Sequence, residues 1–231
     1  MKGASWISKL VSGMSDRIEF WLVLIAAFAL PMSASFASAY RLATHPHARL
    51  VISDSERLVS SALELAVLGF VFFISRVRGW SIRQLGFHPN WRQTIIGVLL
   101  FFAVVLITGG VAAGTIMLVP NSLDHRPSIA IGLSFVGILA TGIINPVFEE
   151  VFLCGYVIQR LAKKGAGVAI GFSVLLRSLC HVHLGVAVGG PLVMGLVFGY
   201  LFWRDRQLWP LIVAHSLLDF LGLLLIAGKF R

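Results

Sequence analysis

Three pairs of residues able to do chemistry recur at a spacing of four: Glu150 with Cys154, Arg177 with His181, and His215 with Asp219. Side chains four apart share one face of a helix, a turn from each other. Each pair sits in a stretch that is otherwise apolar. These stretches are Asn145-Pro-Val-Phe-Glu149-Glu150-Val-Phe-Leu-Cys154-Gly155, Ser173-Val-Leu-Leu-Arg177-Ser-Leu-Cys180-His181-Val-His183 and Leu208-Trp-Pro210-Leu-Ile-Val-Ala-His215-Ser-Leu-Leu-Asp219. An ionisable side chain at membrane depth costs about 2.5–3.5 kcal/mol on insertion scales, so three such stripes are expected to turn toward a shared interior and pair there. Adjacent carboxylates such as Glu149 and Glu150 call for a counter-charge or a shared proton. A glutamate held near a histidine can act as general base on water. A second histidine with a hydrogen-bonding neighbour can stabilise an oxyanion. The chemistry these residues suggest is hydrolysis of an acyl or peptide bond inside a membrane.

The elements that must position them are membrane helices. Of the 231 residues, 58% are hydrophobic and 13% charged, against about a quarter charged in an ordinary soluble domain. Crossing the hydrocarbon core takes about 20 mostly apolar residues. Seven runs qualify, near 20–40, 58–75, 94–118, 129–158, 167–184, 188–203 and 208–227. The predicted fold is all-α, a polytopic transmembrane helical bundle of about seven spans with room for an eighth. The run 129–158 is long for one span, and Asn145-Pro146 is expected to kink or break it. Gly195-x-x-x-Gly199 is expected to let the sixth run pack closely on a neighbour. Trp80–Arg92 is amphipathic and is expected at the membrane interface. The chain then reads as N-terminal transmembrane helices over 1–128 and a site-bearing helical core over 129–227.

The net charge is +9, but the basic residues fall mostly between apolar runs, so they set topology rather than a nucleic-acid surface. With the N-terminus in the cytoplasm, 12 basic residues lie inside and 6 outside, and Arg177 lies within a run. Ala37-Ser38-Ala39 resembles a signal-peptidase site, but the leader would be long and Asp16 and Glu19 precede its core, so retention is expected. Cys154 and Cys180 form no CxxC pattern, and no HExxH is present, so no metal or other cofactor is expected. A site built from His181, His215 and a glutamate around a metal ranks behind metal-free hydrolysis.

The three stripes resemble the CPBP family, the CAAX-protease and bacteriocin-processing group of intramembrane endopeptidases. That family shows Glu-Glu-x-x-x-Arg, then Phe-x-x-x-His, then His-x-x-x-Asn or a close variant. The resemblance covers roughly residues 129–225 and rests on Glu149-Glu150, His181, His215 and the lead-in Leu208-Trp-Pro210. It implies that Glu149 and His181 activate water, that His215 and Asp219 form the oxyanion site, and that Glu150 supports the site or shares a proton. It also implies a bacterial cytoplasmic (inner) membrane location and a protein or peptide substrate with a membrane-embedded or lipidated tail, cleaved in the course of protein sorting.

Three positions depart from the family pattern. Cys154 replaces the motif arginine, Arg177 replaces the motif phenylalanine, and Asp219 stands where asparagine is common. An ionised Asp219 has no hydrogen to donate. Arg177 is expected to supply, from the fifth run, the positive charge that Cys154 no longer supplies from the fourth. Cys154 is open to two readings. It is a small buried apolar residue, or it is a nucleophile beside histidines, suited to cleavage coupled to transfer. A non-catalytic immunity or assembly protein on the same fold is the alternative from a different class.

Overall fold

The structure is a computed structural model that describes residues 11, 13–45, 49–81, 83–118 and 128–228. Among the described residues seven helices carry the fold: α1 (Asp16–Thr44), α2 (Asp54–Val77), α3 (Trp91–Leu118), α4 (Phe135–Glu150), α5 (Ala166–Cys180), α6 (Gly189–Asp205) and α7 (Trp209–Gly228). Their starts are written locally. Ser15 accepts a hydrogen bond from the Ile18 N–H at α1, Ser134 from the Gly137 N–H at α4, and Ser53 with Glu56 forms a capping box at α2.

α1, α2, α3, α7 and the continuous helical stretch Phe135–Lys164 are each long and apolar enough to cross a membrane. The bundle is therefore a polytopic membrane bundle, and the expected seven runs correspond to seven helices. Two of them are short: α5 has 15 residues and α6 has 17. The expected run 167–184 does not stay helical to its end. α5 stops at Cys180, and a 3-10 stretch, Val182–Val188, follows with Gly185 at φ 57, ψ −128. Glycine takes that backbone without a Cβ clash, and it turns the chain from α5 into α6.

One small two-stranded sheet stands beside the helical bundle. β1 (Arg49–Ser53) and β2 (Ser128–Gly132) pair in parallel, from Arg49 opposite Ser128 to Ser53 opposite Gly132. Leu50-Val51-Ile52 and Ile129-Ala130-Ile131 are apolar runs, each with two β-branched residues and too short to make a helix of its own, and each pairs with the other. β2 takes the first residues of the run expected as helix at 129–158. Asn145-Pro146 does not end α4. The winding changes later, when α4 continues as a π-helix over Val151–Ile158 and closes through Gln159–Leu161 and Ala162–Lys164.

That π-helical stretch is the centre of the core. Phe152, Val157 and Ile158 are fully buried, together with Phe198 and Phe202 of α6 and Ala214 of α7. The outward faces stay apolar, with Trp21, Ile25, Leu99, Phe102 and Leu106 all exposed, as helices bathed in lipid require. Gly195 and Gly199 do bring α6 close to α5. A Cβ on Gly199 would stand 2.9 Å from Ile170, and one on Gly195 would stand 3.3 Å from Val174 and 3.4 Å from Arg177. The segments assigned to one side by charge meet at one end of the bundle. Gln159 donates to the Gln84 carbonyl at 2.7 Å, the Leu208 N–H to the Gly86 carbonyl at 2.8 Å, and Arg78 to the Met14 carbonyl at 2.8 Å. Residues 83–86 form turns and 87–90 have no regular structure, with Leu85 buried.

Candidate active site

α4 delivers two glutamates from the middle of the Phe135–Lys164 span. Glu150 is fully buried, whereas the Glu149 side chain keeps 12% of its surface. Both carboxylates meet Arg177, whose residue is 1% exposed. Its Nη1 donates to Glu149 Oε2 at 3.0 Å and its Nη2 to Glu150 Oε1 at 2.7 Å. The short α5 places Arg177 near its C-terminal end, so the guanidinium enters the site from a helix end rather than from mid-span. A charge that deep needs compact partners, and the two carboxylates provide them.

His181 caps α5. Its Nδ1 lies 2.8 Å from the Arg177 carbonyl. A carbonyl only accepts, so Nδ1 carries the proton and Nε2 is the nitrogen with a lone pair in the neutral ring. That Nε2 stands 4.0 Å from Glu149 Oε1, the oxygen Arg177 does not hold. His181 follows directly on Cys180, the last residue of α5, and from there its ring reaches Glu149.

α7 brings the remaining pair. His215 is buried, and its Nδ1 lies 2.8 Å from Glu150 Oε1, the oxygen that also accepts from Arg177. Its Nε2 lies 3.6 Å from Asp219 Oδ1, one turn on. Cys154 donates its thiol to Glu150 Oε2 at 3.3 Å. Every residue singled out in the sequence therefore gathers in one cluster: Glu149, Glu150, Cys154, Arg177, His181, His215 and Asp219. His183 turns away toward α1, where its Nδ1 pairs with Ser35 Oγ at 3.0 Å.

One polar residue joins the cluster that its sequence setting did not single out. Asn145 donates from Nδ2 to Asp219 Oδ2 at 3.3 Å. It stands four residues before Glu149, so the spacing rule that found the other pairs also includes it. Glu64 of α2 accepts from Ser60 at 3.2 Å, and its other oxygen is buried without a partner among the described residues.

One ligand atom each from Glu149, Glu150 and His215 lies within 4.8 Å of the others, close enough to surround a cation. Arg177 already holds an oxygen of each carboxylate. A divalent ion at that point would sit against a fixed positive charge and displace its bonds. The donor set is built around a guanidinium and does not fit a metal.

No curated protein and no solved structure matches the chain. Residues 131–221 match the family model described as "Rce1-like: Type II CAAX prenyl endopeptidase Rce1-like". The matched segment begins inside β2 and ends just beyond Asp219, so it takes in the whole cluster. This match places residues 131–221 in the CPBP family of intramembrane CAAX-type proteases.

Proposed function

We propose that the chain is an intramembrane endopeptidase of glutamate type, in which Glu149 activates the attacking water. The observation that carries this reading is the asymmetry of the two glutamates. Glu150 spends both oxygens on Arg177, His215 and Cys154, whereas Glu149 keeps Oε1 free, 4.0 Å from His181 Nε2. That gap is too long for a direct hydrogen bond and short enough for one water to touch both groups. Glu149 then takes the water proton, and His181, fixed in orientation by the Arg177 carbonyl, holds the water in line. Glu150 orients His215. Arg177 replaces the missing motif arginine and holds both carboxylates in place. The Cys154 thiol is tied to Glu150 and its residue is 1% exposed, which favours a packing role over that of nucleophile. The substrate would be a protein whose membrane-embedded or lipidated end slides in from the bilayer, as in the trimming of a sorting tail. The N-terminus would face the cytoplasm of a bacterial inner membrane.

The test uses the full chain in proteoliposomes with two probes: a farnesylated peptide ending in a CAAX sequence, and a single-span helical peptide with a basic C-terminal tail. Mass spectrometry reads the products. Wild type is expected to cleave one of them, and Glu149→Gln to lower turnover by about 10²–10⁴-fold, the usual worth of a general base, with its melting temperature retained. Addition of a chelator is expected to leave the wild-type rate unchanged. Equal turnover by wild type and Glu149→Gln would overturn the glutamate reading.

A further inference from the structure

A developing oxyanion needs a hydrogen-bond donor, and the last polar stripe ends in a residue that is a poor one. An ionised Asp219 offers only acceptors. The amide it lacks stands across from it on another helix. Asn145 lies one turn before Glu149 on α4, on the face that carries the general base. Its Nδ2 donates one hydrogen to Asp219 Oδ2 at 3.3 Å. A primary amide has two N–H groups, and the second has no acceptor among the described residues. The other Asp219 oxygen stands 3.6 Å from His215 Nε2. Asp219 thus lies between the Asn145 amide, which donates to it, and the His215 ring, and it fixes the direction in which the amide points. The Asp219 side chain is 28% exposed, whereas that of Glu150 is 0%, so this edge is the open side of the cluster.

Building on the proposed function, we propose that Asn145 is the oxyanion donor of the site and that Asp219 is the positioning residue that aims it. The amide has moved from α7 to α4, as the positive charge has moved from α4 to α5. In the reaction, water oxygen bonds to the scissile carbonyl carbon while its proton passes to Glu149. The carbonyl π pair moves to oxygen, and the negative charge there meets the second N–H of Asn145. Collapse of this intermediate restores the C=O bond, breaks the C–N bond and sends the proton from Glu149 to the leaving amine. The products are a carboxyl terminus and an amine, and no further reactant is consumed.

The experiment measures kcat and KM separately on whichever of the two peptide probes wild type cleaves. Asn145→Ala is expected to lower kcat by about 10²–10³-fold, the usual worth of one oxyanion donor, with KM within about threefold. Adding Asp219→Asn to that variant returns an amide to the same place, and at least tenfold of kcat is expected back. A purely structural role for Asn145 predicts no such recovery. Asp219→Asn alone is isosteric and guards against a folding failure of the alanine variant. Its side-chain carbonyl still accepts from Asn145, so kcat is expected to fall by roughly three- to tenfold. The proposal is overturned if Asn145→Ala keeps kcat within threefold of wild type, if the double variant recovers nothing, or if Asp219→Asn alone falls as far as Glu149→Gln. Glu149→Gln separates the two levels. Its full activity would remove the glutamate reading, whereas its inactivity beside an active Asn145→Ala would remove only the oxyanion assignment.

Discussion

The molecule holds two buried charge clusters on one long helical stretch, and they are built differently. The first lies at the end where residues 78–86, 160 and 204–208 meet. There Glu19, 3% exposed, takes Arg78 Nε at 2.6 Å and also pairs with Arg160 through Oε2, while Tyr156 donates to its Oε1 at 3.1 Å. Arg160 also lies over the Trp80 ring at 4.8 Å. Both oxygens of Glu19 are engaged. The second cluster surrounds Arg177. There Glu150 is saturated in the same way, but Glu149 Oε1 and His181 Nε2 stand 4.0 Å apart, and Asp219 Oδ1 stands 3.6 Å from His215 Nε2. Saturation ties helices together. A site for chemistry has to leave selected atoms without a partner, because those atoms must bind what arrives.

Three changes would sharpen or break this contrast. The largest effect is expected from Arg177→Leu, which leaves Glu149 and Glu150 buried with no cation. Breaking a buried ion pair costs about 3–5 kcal/mol, so a large drop in melting temperature in detergent and loss of turnover are both expected. Adding Cys154→Arg should return part of each, because it restores a positive charge from α4. If Arg177→Leu is as stable and active as wild type, the relocated-charge account fails. A smaller effect is expected from Glu19→Gln. Its arginines keep 14% of their side-chain surface and can turn to water, so the loss should be nearer about 1.5–3 kcal/mol. Specific activity of the folded fraction should hold within about twofold. A fall in kcat with stability unchanged would show that the two clusters are not separable as drawn. The smallest is expected from Cys154→Ser, which keeps a donor to Glu150: a rate within about threefold of wild type. A loss of several hundredfold would instead favour a thiol nucleophile.

Much of the site was legible because its residues break a strong rule. Glu149, Glu150, Arg177, His181, His215 and Asp219 stand out in sequence as charge or polarity inside apolar runs, and spacing by four assigned all but Glu149 to helix faces. Asn145 obeys the same spacing, but its neighbour Pro146 made the pair look like punctuation. The Glu19–Arg78–Arg160–Tyr156 cluster left no such mark. Its charged members lie near helix ends, where charge is ordinary, and Glu19 is 137 residues from Tyr156. The parallel pairing of residues 49–53 with 128–132 was missed for a related reason: five-residue apolar segments beside long ones read as their extensions. The early end of α5 was also hidden, because hydropathy continues past Cys180 into Val182 and Leu184 while the backbone turns.

The π-winding after Glu150 has a consequence for how the chain tolerates change in length. Each residue of an α-helix advances the side chains by about 100°, and the wide turns over Val151–Ile158 reset that advance between the two clusters. Glu149 and Glu150 lie before the reset, Tyr156 within it, and Arg160 after it. Removing one residue from this stretch while its winding stayed the same would swing one set of side chains out of phase with the other by about a quarter turn. The carboxylates could then meet Arg177, or Tyr156 and Arg160 could meet Glu19, but not both. In this stretch the number of residues is constrained as tightly as their identity.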